Sequence, residues 1–81
     1  MKIHPHAQDR MNERGATEEE VNATIGNGER FPAKFGRQGF RRNFSFDGEW
    51  RGRHYTTKQV EVIATCEEDD WLAISVIVKY F

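Results

Sequence analysis

The chain has 81 residues, with 12 Lys and Arg against 13 Asp and Glu and a formal net charge of −1. That length makes one domain, residues 1–81, with a core small enough that its stability margin is a few kcal/mol. Hydrophobic residues at 37% exclude a disordered chain, the single Cys66 excludes an intrachain disulfide, and no apolar run is long enough for a signal peptide or a membrane span. A reducing, cytoplasmic compartment is the expected location.

In chain order, a first helix is expected from Pro5, a residue tolerated at the first helical position, to Gly15, which can take the left-handed conformation that closes a helix. A second begins at Thr17, which forms a capping box with Glu20, while Glu18 and Glu19 sit at the positive end of the helix dipole. Gly26-Asn27-Gly28 stops it. Phe40, Phe44 and Phe46 then alternate with Arg41, Asn43 and Ser45, the period of a half-buried strand. Asp47-Gly48 offers a tight hairpin before a strand at Trp50–Tyr55. Gln59–Cys66 and Trp71–Phe81 form a second hairpin around the acidic Glu67-Glu68-Asp69-Asp70 turn. The last strand is almost continuously apolar and is therefore expected to be central, covered on both faces. The expected fold class is α+β, with two short N-terminal helices on one side of a curved antiparallel sheet of three to four strands.

Charge is distributed unevenly along this order. Residues 1–29 balance to −3, residues 30–58 to +6 and residues 59–81 to −4. Arg37, Arg41, Arg42, Arg51 and Arg53 are the candidate nucleic-acid-binding residues of that basic third, since a local cationic patch attracts polyanions whatever the overall charge. The competing explanation is that the patch is neutralised by the acidic turn and by Glu18, Glu19 and Glu20.

Two constellations bear on chemistry. His6, Arg10 and Arg14 recur at i, i+4 and i+8 on the first helix, along the edge of the Ile3, Ala7 and Met11 stripe. Fixed arginines beside a histidine can bind a phosphate and exchange a proton with it. Alternatively, the arginines tie down carbonyls or carboxylates and His6 is a cap or packing group. The run Trp50 to Lys58 mixes cations with rings, as surfaces that stack bases and meet phosphates do, and contains His54, Tyr55 and Lys58 as proton carriers. A strand edge guarded by charges has the same composition. His4, His6, His54 and Cys66 match no metal-site spacing, and no phosphate-cradling glycine loop precedes a helix.

The run His6-Ala7-Gln8-Asp9-Arg10-Met11-Asn12-Glu13-Arg14-Gly15-Ala16-Thr17, with Val21 and Gly28 beyond it, resembles the bacterial family known as domain of unknown function 4258. Arg53, Tyr55, Lys58 and Val60 resemble its later half, and Ile74-Ser75-Val76 stands where the family often has I-T-V. The resemblance implies the fold of RelE-type toxins and barnase-like or colicin-type nucleases. It also implies metal-independent RNA cleavage with no cofactor, and it marks His6, Arg10, Arg14, Tyr55 and Lys58 as the motif positions. The function expected is a toxin-like ribonuclease or RNA-binding module, with RNA and a cognate antitoxin as partners. The alternative is a non-catalytic protein-interaction module that recruits its partner through an exposed strand edge.

Overall fold

The computed structural model describes all 81 residues. Two helices, α1 (Pro5–Arg14) and α2 (Glu18–Asn27), pack on one face of a five-stranded open sheet ordered β1-β5-β4-β3-β2. The strands are β1 (Lys2–Ile3), β2 (Glu29–Pro32), β3 (Gln38–Trp50), β4 (Arg53–Glu67) and β5 (Asp70–Tyr80). The sheet is mixed, because β1 runs parallel to β5 while all other neighbours are antiparallel. The α+β class with two helices is as expected; the antiparallel sheet of three to four strands is corrected to a mixed sheet of five, since β1 precedes the helices and pairs in parallel and β2 adds a further strand.

Local chemistry explains the helix ends. Thr17 Oγ1 accepts the Glu20 N–H at 3.1 Å and Glu20 Oε1 accepts the Thr17 N–H at 2.9 Å, closing the capping box in both directions. At α1 the cap is His4, whose Nδ1 accepts the His6 N–H at 3.1 Å. Gly15 ends α1 at φ 79°, the left-handed value that favours glycine.

Two sequence expectations are corrected. Asp47-Gly48 is not the hairpin turn: Asp47 has φ 43° within a bulge between Ser45 and Gly48, and β3 continues to Trp50. The turn is Arg51-Gly52, at φ 51° and 82°, which splits the expected Trp50–Tyr55 strand. The acidic turn does form, with Glu68 and Asp69 at φ 51° and 64°. Nor is β5 central. That place belongs to β4, and beyond Ala73 the outer side of β5 has no strand partner. The continuous apolar run has another cause. A register shift opposite Ile63 and Ala64 inserts one residue, so Ala73 and Val76 both reach the core although three positions apart.

The core joins Ala7, Met11, Ala16 and Val21 from the helical layer to Phe40, Val60, Val62, Ala64, Ala73 and Val76 from the sheet, with Ile3 and Ile25 at its margin. Complete burial of a side chain such as Met11 contributes about 1.5–3 kcal/mol. The other face of the sheet carries no helix.

Candidate nucleic-acid interface

Along α1 the stripe of His6, Arg10 and Arg14 separates into three situations. His6 is exposed and its ring has no hydrogen-bond partner, while its backbone N–H donates to His4 Nδ1. Arg10 pairs with Glu13 at 3.0 Å within the helix. Arg14 reaches the sheet and donates through Nη1 to the Val76 carbonyl at 2.7 Å. Eight residues of helix place His6 about 12 Å from Arg14 along the axis, so the stripe does not converge on one phosphate.

Lys58 belongs to the interior. It is 5% exposed, and its Nζ donates to the Gly15 carbonyl and to Glu20 Oε1, the latter at 2.8 Å. The second helix cap and the loop between the helices are thereby fastened to β4. Tyr55 sits closer to the surface, its ring 5.7 Å from that of Tyr80. Arg14, Tyr55 and Lys58 do gather around one residue, Tyr80, whose hydroxyl donates to the Arg14 carbonyl at 2.7 Å. His6 and Arg10 lie apart from them. The correction is therefore to the grouping: the five motif positions are not one constellation, and Arg14 and Lys58 spend donors on backbone carbonyls.

Tyr80 is the residue the sequence did not single out, and its partner Trp50 opens the Trp50–Lys58 run. Trp50 stacks on Tyr80 at 4.9 Å and 15°, and Phe46 meets Tyr80 edge-on at 5.1 Å. A side chain at Gly15 would meet both the Trp50 ring and the Tyr80 hydroxyl within 3.0 Å, so the glycine there serves ring packing as well as the helix end. Burial raises the Tyr80 pKa above 10.0, and the charge of Glu20 adds to the shift. Together with Glu13, Arg14, Arg51 and Val78, these two rings line an open cleft of about 320 Å³.

The basic third follows a different rule. Each of its six arginines lies over an aromatic ring. Arg41 covers Phe31 at 4.7 Å, Arg42 covers Phe44 at 5.2 Å and Arg30 covers Phe40 at 5.2 Å. Arg51 covers Trp50 at 5.3 Å, Arg37 covers Phe35 at 5.6 Å and Arg53 covers Tyr55 at 5.8 Å. Only Arg41 also has a carboxylate partner, Glu29 at 2.9 Å, and that hydrogen bond raises its pKa further. The Glu67–Asp70 turn does not neutralise these arginines; Asp70 is instead paired with the Met1 ammonium at 3.0 Å. Arg41, Arg42, Asn27, Asn43 and Gln59 line a second polar cleft of about 320 Å³ beside Glu29.

For proton transfer the surface offers His54, whose Nε2 lies 2.9 Å from Asp47 at the β3 bulge. No group of three or more His, Cys, Asp or Glu side chains converges on a common point. Comparison with family models, with curated proteins and with solved structures returns no match. No helix is long and apolar enough to cross a membrane.

Proposed function

We propose that the protein binds single-stranded RNA through the arginine–aromatic pairs of the helix-free face, Arg41 on Phe31 and Arg37 on Phe35, and of the β3–β4 hairpin tip, Arg51 on Trp50 and Arg53 on Tyr55. The observation that carries this reading is that five of the six arginines between residues 30 and 53 lack a carboxylate partner while all six rest on rings. A ring holds a guanidinium in place without neutralising it, so the charge stays available to phosphate. Rings beside cations without a carboxylate partner are what single strands use, since every base has a face to stack and every nucleotide a phosphate to meet. The buried Phe40 ring holds Arg30 but offers no stacking face, and Arg42 and Arg51 each also donate to one backbone carbonyl, of Ala23 and Glu13. The resemblance to ribonuclease toxins points to the same ligand. Binding is favoured over cleavage because His6 stands apart from Arg14 and because Lys58 is enclosed in the core.

The test is fluorescence anisotropy with a labelled single-stranded RNA at several salt concentrations. Affinity should fall linearly on a log–log plot, with a slope of about −0.7 for each phosphate contacted. Replacing Arg51 and Arg53 together by Gln should weaken binding and reduce that slope by about 0.7 per lost contact. The same RNA run on a denaturing gel reports cleavage. Failure of the wild type to retain RNA at low salt would overturn the reading and leave protein interaction, for which the outer edge of β5 is the available surface.

A further inference from the structure

The loop joining β2 to β3 presents one side chain to solvent at a cost to the backbone. Phe35 is 87% exposed and has φ 62° and ψ 32°, left-handed values that a bulky aromatic rarely adopts. A glycine would take this conformation without strain, and an exposed ring returns no burial to the fold. The segment is nevertheless well fastened. The Ala33 N–H donates to the Arg37 carbonyl at 3.0 Å, and the Arg37 N–H donates to the Lys34 carbonyl at 3.3 Å. Below it, Gln38 Nε2 donates to the Phe31 carbonyl at 2.8 Å. Phe35 is thus held out on a pinned loop, and strain of this kind concentrates where a side chain is kept for a ligand.

What it faces is a cleft of about 300 Å³ lined by Ala33, Lys34, Phe35, Arg37, Ile63 and Ser75. Its floor is the helix-free face of the sheet, where Ile63 pairs with Ser75 across β4 and β5. Its walls carry two cations, Lys34 and Arg37, neither of which has a carboxylate partner. The Arg37 guanidinium lies over the Phe35 ring at 5.6 Å. An apolar slot with a ring on one side and free cations at its rim fits a flat, unsaturated group joined to anions.

We propose that Phe35 is a base-stacking residue, and that one nucleobase of a single-stranded RNA enters this cleft against its ring while Lys34 and Arg37 take the adjacent phosphates. The proposal rests on the RNA-binding reading above and adds a base subsite to it. The stacking contribution is independent of charge, whereas Lys34 and Arg37 contribute through phosphate, so the two are separable by experiment.

Anisotropy titrations with a labelled oligouridine and with an abasic strand of equal length provide that separation. The wild type should prefer the strand that carries bases. Phe35→Ala should lose roughly 5- to 150-fold in affinity for oligouridine, keep the same salt slope, and bind the abasic strand as the wild type does. Phe35→Trp should restore the affinity. Lys34→Gln with Arg37→Gln should flatten the salt slope for both strands by about 0.7 for each contact. Phe35→Gly should melt above the wild type, since the strain disappears with the ring, while binding as weakly as Phe35→Ala. Wild-type binding with no loss in Phe35→Ala would overturn the base subsite and leave the RNA-binding reading standing. A Phe35→Gly protein that melts below the wild type would show the ring to be structural and would also overturn it. A wild type that binds neither strand would overturn both readings.

Discussion

Replacing Lys58 by Met tests whether the ammonium joining β4 to the helical layer is structural. The side chains of Lys58 and Glu20 are 6% and 21% exposed, and their 2.8 Å contact is accompanied by the bond to the Gly15 carbonyl. Removing one member of a buried pair costs about 3–5 kcal/mol, because the other charge is left uncompensated. Glu20 still accepts the Thr17 N–H at 2.9 Å and is partly hydrated, so about 3 kcal/mol is the appropriate value. The Lys58 ammonium also lies 5.9 Å from the centroids of both the Phe46 and Tyr80 rings, so Met, which keeps a stem of similar length, removes these cation–ring contacts together with the polar ones. A domain of this size has about 4–12 kcal/mol to lose. At roughly 4–8 °C per kcal/mol, the melting temperature should fall by about 12–24 °C. Circular dichroism melts of the wild type, Lys58→Met, Glu20→Leu and the double variant measure it. The double variant should be more stable than the two single losses add up to, since a paired apolar replacement leaves no orphan charge. A Lys58→Met protein melting within about 4 °C of the wild type would refute the reasoning. RNA affinity per folded molecule should be unchanged in this variant; a loss there would return Lys58 to the binding surface.

Three further outcomes rest on the fold. Gly28→Ala should destabilise by about 1–3 kcal/mol, because the new methyl meets the Thr24 carbonyl and, at 2.8 Å, that of Arg41. Gly26→Ala has open space around it within α2 and should stabilise by about 0.5–1 kcal/mol; urea titrations read both, and equal effects would contradict the packing described. Tyr80 has its folded pKa above 10.0, so its ionisation leaves stability untouched at lower pH and subtracts from it as pH rises through 10.0 toward the folded value. Stability measured from pH 9 upward should therefore decline less steeply in Tyr80→Phe than in the wild type; parallel declines would remove the burial argument.

How much of this was legible depended on how local the cause was. The capping box at Thr17 and Glu20 needs only residues three apart, and it formed as read. Asp47-Gly48 and Arg51-Gly52 each offer a glycine to a turn, yet positive φ is taken by Asp47 alone in the first and by both residues in the second. Which becomes the turn is decided by the pairing of Trp50 with Arg53, and that is a tertiary fact. The register shift at Ile74 erased the period of two in β5, and the unbroken apolar run then imitated a central strand. Arg14 was ambiguous for a similar reason, since the carbonyl it serves belongs to Val76, 62 positions away. Lys58 carries a clearer sign. It falls in phase with Val60, Val62 and Ala64, all buried, so the alternation already turned it inward. The mixture of arginines and rings was legible in composition, but that five of the six arginines lack a carboxylate partner was not.

The parallel seam at the edge of the sheet bears on the order in which the protein folds. Every other pairing joins strands that are neighbours in sequence, whereas β1 meets β5 by pairing residues 2 and 3 with 72 and 73, and His4 donates to the Ala73 carbonyl at 2.9 Å. Closing so long a loop costs entropy that a two-residue strand scarcely repays, so the seam forms after the three antiparallel pairings and opens before them. His4 is also the cap of α1, and releasing the seam unties that helix at its first turn. Met11 in the core, the bond from Arg14 to Val76 and the bonds from Tyr80 and Arg51 to the Arg14 and Glu13 carbonyls still hold the last turn. The first residues thus act as a latch, and amide exchange at the start of α1 records how often it lifts.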